Sequence, residues 1–146
     1  TDLVGARNGA FSAQVVASAD RPIEALRVRP TPLKGPGGVA IAPSAVEVRY
    51  GLADAKVRRG PVYFSGLEVH PPALVPLRKG RAIQPIWITV HVPADVPAGE
   101  YAGQVMISAG GEKPLAVPLR LRVHGWSLPD SKEFLTGRRD RNRQAN

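Results

Sequence analysis

Three histidines, His70, His91 and His124, are the natural candidates for proton transfer or metal ligation. None stands at HxH or HExxH spacing from another. His70 adjoins Pro71-Pro72, His91 falls on the outer side of an alternating strand, and His124 falls at a strand end, so each fits a surface or interface position. Asp54, Asp95 and Asp130 lie in turn-like contexts, where a short carboxylate bonds nearby backbone amides. Glu47 and Glu68 are single strand positions, and nothing pairs two carboxylates as glycoside hydrolysis requires. Ser12, Ser18, Ser44, Ser65, Ser108, Ser127 and Ser131 stand outside any GxSxG elbow. The absence of cysteine removes thiol nucleophiles, iron–sulfur ligation and disulfides, without fixing the compartment. Gly35-Pro36-Gly37-Gly38 runs into Val39, Ala40 and Ile41 rather than into a lysine, a hydroxyl and a helix, so it is read as a flexible connection and not a phosphate cradle. The sequence therefore offers no catalytic residue, no metal site and no cofactor site.

Two features suit contact rather than chemistry. Trp87 stands opposite Ile86, Ile88 and Val90, where an aromatic ring either stacks on a sugar or packs beneath another domain. Arg27, Arg29, Arg49, Arg120 and Arg122 project from outer strand positions, as a patch for an anionic polymer or as charges that keep strand edges soluble. The formal charge is +8, and residues 138–146 hold Arg138, Arg139, Arg141 and Arg143 against Asp140. That tail lacks the interleaved aromatics that stack on bases, which argues against a nucleic-acid partner.

The elements that position these residues are strands. A chain of 146 residues has the size of one domain, and its 15 Gly and 15 Pro leave little room for uninterrupted helix. Leu115, Val117, Leu119, Leu121 and Val123 alternate with Ala116, Pro118, Arg120, Arg122 and His124. Tyr101, Gly103, Val105 and Ile107 alternate likewise, and Gly110-Gly111 joins the two runs as a hairpin. Ile86, Ile88, Val90 and Val92 oppose Trp87, Thr89 and His91. Phe11 to Ala19, Leu26 to Arg29, Val46 to Tyr50 and Val62 to Val69 complete about seven strands, the number expected of an immunoglobulin-like, two-sheet antiparallel β-sandwich. The sandwich is placed at residues 1–129, with an Arg-rich tail or truncated linker at 130–146. No apolar run is long enough to span a membrane as a helix.

The stretch from Gln84 to Val105, "QPIWITVHVPADVPAGEYAGQV", resembles the N-terminal sandwich of bacterial glycoside hydrolase family 123 proteins, where a strand bearing a Trp leads to a "vP.d.paG.Y.G.v.v" turn. Its physics agrees: Pro93 and Pro97 fix φ, Asp95 can close an Asx-turn, and Gly99 admits positive φ before Tyr101 opens the next strand. Ala6-Arg7-Asn8-Gly9, followed by Phe11, Gln14, Val15 and Val16, is similar to the family's opening "aRNe...fQlvv", with Gly9 in place of the acidic residue. Gly125-Trp126-Ser127-Leu128-Pro129 looks like the "LP" exit toward the family's catalytic barrel.

The resemblance implies an exported protein whose signal peptide has been removed, in which this sandwich precedes a barrel hydrolase acting on N-acetylgalactosamine-containing glycans. The barrel's acidic residues have no counterpart here, so the expectation is a non-catalytic accessory domain whose partner is the catalytic domain of the same polypeptide. A free-standing carbohydrate-binding module and an electrostatic binder of anionic polymers are the alternatives. The contact residues expected on either the docking or the glycan reading are Trp87, Thr89, His91, Gln84, Tyr101 and Trp126.

Overall fold

The computed structural model describes residues 1–53 and 64–130. The expected Asp54 turn, the start of the Val62–Val69 strand, Ser131 and the arginines of the tail lie outside them. Among the described residues twelve strands follow one another: β1 (Asp2–Arg7), β2 (Gly9–Ala19), β3 (Ile23–Glu24), β4 (Arg27–Pro30), β5 (Leu33–Lys34), β6 (Ala40–Ile41), β7 (Val46–Ala53), β8 (Phe64–Glu68), β9 (Leu74–Val75), β10 (Ala82–Val92), β11 (Gly99–Ser108) and β12 (Leu115–Ser127). Pro36–Gly38 and Pro43–Ala45 form single 3-10 turns. The larger sheet runs β1-β12-β11-β5-β6, with β4 also on β11; the smaller runs β2-β10-β7-β8; β3 and β9 form a separate ribbon.

The two sheets make a β-sandwich because every long strand alternates. On β10, Ala82, Gln84, Ile86, Ile88, Val90 and Val92 are buried, while Trp87, Thr89 and His91 lie on the opposite face. From the larger sheet, Tyr101, Val105, Leu119 and Leu121 are fully enclosed in the same buried cluster as Ile86, Ile88 and Val90. Burying each such aliphatic side chain is worth about 1.5–3 kcal/mol, so a one-residue slip of register, which would turn the whole set to solvent, is strongly disfavoured.

Most expected strands are present, several of them longer than the sequence suggested. β1 and the two-residue strands β3, β5, β6 and β9 carry no usable alternation and were not anticipated. β1 lies parallel to β12, with Leu3 opposite Leu121 and Gly5 opposite Val123. Its identity as a strand depends on a partner more than 100 residues away in the chain.

Two turns fix the frame. At Asn8 the chain leaves the larger sheet for the smaller with φ at 58°, a left-handed conformation that short polar side chains tolerate best. The Asn8 amide donates to the carbonyl of Leu128 at 3.0 Å and to Asp130 at 2.9 Å, while Arg7 donates to the carbonyl of Gly125. The segment resembling the family's opening and the one resembling its exit therefore meet in space. At the other turn, Tyr101 donates its hydroxyl to the carbonyl of Pro97 at 2.8 Å, a tyrosine bonding back to the chain just upstream as in other sandwiches. The Gly35–Gly38 loop, expected to be a flexible connection, packs at one end and leaves Gly37 and Gly38 in open space. Gly35 lies against the Tyr101 ring with no space for a Cβ, and Pro36 packs on Gly99.

Candidate functional site

β10 is the central strand of the smaller sheet and sets the geometry of its outer face. β2 pairs along its whole length, placing Gln14 opposite Trp87, Ser12 opposite Thr89 and Val16 opposite Pro85. β7 pairs on the other side, with Arg49 opposite Trp87 and Glu47 opposite Thr89. The β7 ladder starts at Ile86, so Pro85, which has no N–H to donate, stands just beyond it. Residues three sequence segments apart thus surround one half-buried indole.

The face divides into two halves. Toward His91 it is polar: the Ser12 and Thr89 hydroxyls share a hydrogen bond of 2.7 Å, Arg49 donates Nε–H to Glu47 Oε1 at 2.5 Å, and His91 Nε2 lies 3.4 Å from Glu47 Oε2. The bond from Arg49, and then that from His91, hold the Glu47 carboxyl below the ordinary carboxylate value. Toward Pro85 the face is apolar. Gly51 lacks a side chain, so the Phe64 ring settles over it beside Pro85; a Cβ there would lie 3.0 Å from the ring. Gln14, Gly51, Phe64, Leu67, Pro85 and Trp87 line a shallow hollow. Val16, Leu67 and Ile83, at 51%, 41% and 39% exposure, extend it.

Of the six expected contact residues, Trp87, Thr89 and His91 share this face. Gln84 and Tyr101 do not reach solvent. Gln84 is 3% exposed, and its amide donates to the carbonyls of Gly51 at 2.9 Å and Pro85 at 3.0 Å, because alternation turns it into the core one residue before Pro85. Tyr101 is 0% exposed between the sheets. Trp126 is 58% exposed, but on β12 of the other sheet, beside the register shift opposite Ala6 and Arg7. Gln14, Ser12, Phe64, Leu67 and Pro85 were not anticipated at the site. Their membership follows from strand register, which no local pattern encodes.

Among the described residues the carboxylate on this face is Glu47, half-buried and bonded by Arg49 and His91, with no second carboxylate across the hollow. Among the described residues no three His, Cys, Asp or Glu side chains are grouped as metal ligands, and no helix is long and apolar enough to cross a membrane. The fold defines a β-sandwich domain.

Its family is that described as Glycoside hydrolase 123 N-terminal domain, which matches residues 2–109, and the chain belongs to it. The match includes the Arg7-Asn8 opening and the Trp87-to-Tyr101 segment and stops before β12. A family 123 glycoside hydrolase from Clostridium perfringens, whose structure was analysed for glycolipid glycan hydrolysis, is similar in fold, with a TM-score of 0.69 at 16% identity. That likeness covers 88% of this chain and 23% of the Clostridium chain. No curated protein matches the sequence.

Proposed function

We propose that the chain is the non-catalytic accessory sandwich of an exported, glycoside-hydrolase-like protein and docks on the catalytic domain of the same polypeptide through the outer face of the smaller sheet. The apolar half of that face carries the reading. Trp87, Pro85, Phe64, Leu67, Val16 and Ile83 form a contiguous apolar surface beside a neutral polar half, the composition of a surface covered by another domain. Family membership supports it, as does the small share of the Clostridium enzyme that the fold occupies, which leaves most of such a chain to a second domain. The polar end of the face lies near the Asn8 turn, where the chain passes Leu128 and Asp130, so a following domain would start beside it.

A glycan-binding role for Trp87 rests on its polar neighbours, but apart from Gln14 these are already paired. Ser12 bonds Thr89, and Glu47 is held by Arg49 and His91, so a sugar hydroxyl would have to break existing bonds to enter. An antibody against the sandwich, used to size the native polypeptide in the producing cell, tests the docking role. A species several tens of kilodaltons larger is expected, and a species the size of this chain alone would overturn the role. In the larger protein Trp87→Ala should lower the stability of the domain joint by about 2 kcal/mol or more. Quenching of tryptophan fluorescence by millimolar neutral glycans would favour the sugar-binding reading instead.

A further inference from the structure

We propose that the outer face of the larger sheet binds an acidic polysaccharide, whose sulfate or carboxylate groups are held by Arg27 and Arg29 at one end and by Lys34 and Arg120 at the other. This is the face opposite the docking surface, so the inference does not depend on what covers Trp87.

The described residues hold twelve Lys and Arg against nine Asp and Glu, a net of +3. Strand register puts five of those cations on this one face. Arg29 stands opposite Met106 and Arg27 opposite Ser108; Lys34 and Arg120 flank Ala102; Arg122 stands opposite Glu100. Asp2, opposite Arg120, and Glu100, 3.6 Å from Arg122, are the acids among them. The face alone matches the excess charge of the described residues, whereas on the other sheet's face Glu47 offsets Arg49 and leaves the single cation Arg81, bonded to Ser18. Arg27, Arg29, Lys34 and Arg120 have no ion pair among the described residues.

The spacing selects a chain over a small anion. Lys34 and Arg120 are two strand spacings apart, about 10 Å, and the Ala102 row lies roughly 14 Å along β11 from the Met106 row that carries Arg29. No single anion reaches both ends, but an extended polymer with repeating charges does. Arg27 and Arg29 flank a groove completed by Pro30, Thr31, Met106, Ser108 and Pro114, where two planar guanidinium forks stand beside the Ser108 hydroxyl, a combination suited to sulfate and carboxylate. Between the clusters lie Gln104, Met106, Ala116 and Pro118, a flat floor without an aromatic ring for a base to stack on, which favours a glycan over a nucleic acid.

The test measures binding of the 146-residue chain to dextran sulfate and polygalacturonate at about 50 mM salt, where counterion release makes such contacts strong. Variants R27Q/R29Q and K34Q/R120Q are each expected to lose about tenfold in affinity, with a salt slope shallower by about two. R49Q/K79Q, which removes equal charge elsewhere, is expected to lose less than about threefold, and the tail is present in all three. Binding to both polymers, or to one of them, tells which anionic group the arginines take. Equal losses in all three variants would reduce the effect to net charge and overturn the proposal. No binding to either polymer, or equally tight binding of single-stranded DNA, would overturn it too. Thermal unfolding of each variant separates lost contacts from lost fold, and the two cluster variants check each other.

Discussion

Asn8 combines a left-handed backbone with two side-chain hydrogen bonds, and the two contributions can be separated by substitution. Asn8→Ala loses both and should destabilise the chain by about 2–3 kcal/mol; Asn8→Gly keeps the conformation at little cost and should lose about 1 kcal/mol less. Urea midpoints measure both, and equal losses would mean that the backbone at Asn8 carries no strain worth relieving. Glu47 offers a second residue-scale check. Its carboxyl is held below the ordinary value mainly by Arg49, so the interaction contributes above the unfolded carboxylate range and is lost as pH falls through the folded value. In Arg49→Gln the Glu47 midpoint, followed by carboxyl NMR, should rise toward the ordinary value. An unchanged midpoint would show that the bond seen between them does not persist in solution.

At the scale of elements, what limits substitution is how closely strands approach. Gly103 on β11 faces inward where the chain enters the neighbouring β5, and a Cβ there would lie 2.7 Å from both Leu33 Cδ2 and the Pro32 carbonyl oxygen. A carbonyl in the main chain cannot swing aside as a side-chain tip can. Gly103→Ala should therefore cost about 1–3 kcal/mol, while Gly110→Ala, whose Cβ would have its nearest contact at 3.5 Å, should stay within about 0.5 kcal/mol. Differential scanning of the two variants decides the matter; similar melting shifts would mean that β5 moves away freely. The same closeness seats Gly35 against Tyr101 although the loop's composition suggests slack.

For the molecule as a whole, the two sheets present unlike outer faces around one core. The smaller is apolar around Trp87, and the larger carries the excess cations of the described residues. Its core also sets an alkaline limit. Burial raises the phenol pKa of Tyr50 and of Tyr101 above the ordinary tyrosine value, and the Val28 backbone bond to Tyr50 offsets only part of this. With the folded values raised, the unfolded chain releases these protons first, so stability should hold up to about pH 10 and fall above it. Tyr101→Phe should cost about 1 kcal/mol at neutral pH, through the lost bond to Pro97, and should flatten the alkaline fall. Urea midpoints between neutral and strongly alkaline pH test both, and parallel curves for the two proteins would exclude Tyr101 as a source of the alkaline loss.

The sequence by itself determined the all-β architecture, because alternation at Ile86–Val92, Tyr101–Ile107 and Leu115–Val123 is a local consequence of which side chains must be buried. It also placed Trp87, Thr89 and His91 on one outer face, since residues two apart on a strand share a side whatever the partner. Only the tertiary structure decided what surrounds them. Gln14, Arg49 and Phe64 reach the indole through pairings between distant segments, and β1 becomes a strand only when β12 supplies its hydrogen bonds. Gln84 and Tyr101 show the same division from the opposite direction. Both belong to the segment with the strongest family resemblance, yet strand phase turns each into the core, and chemical type alone does not report that phase.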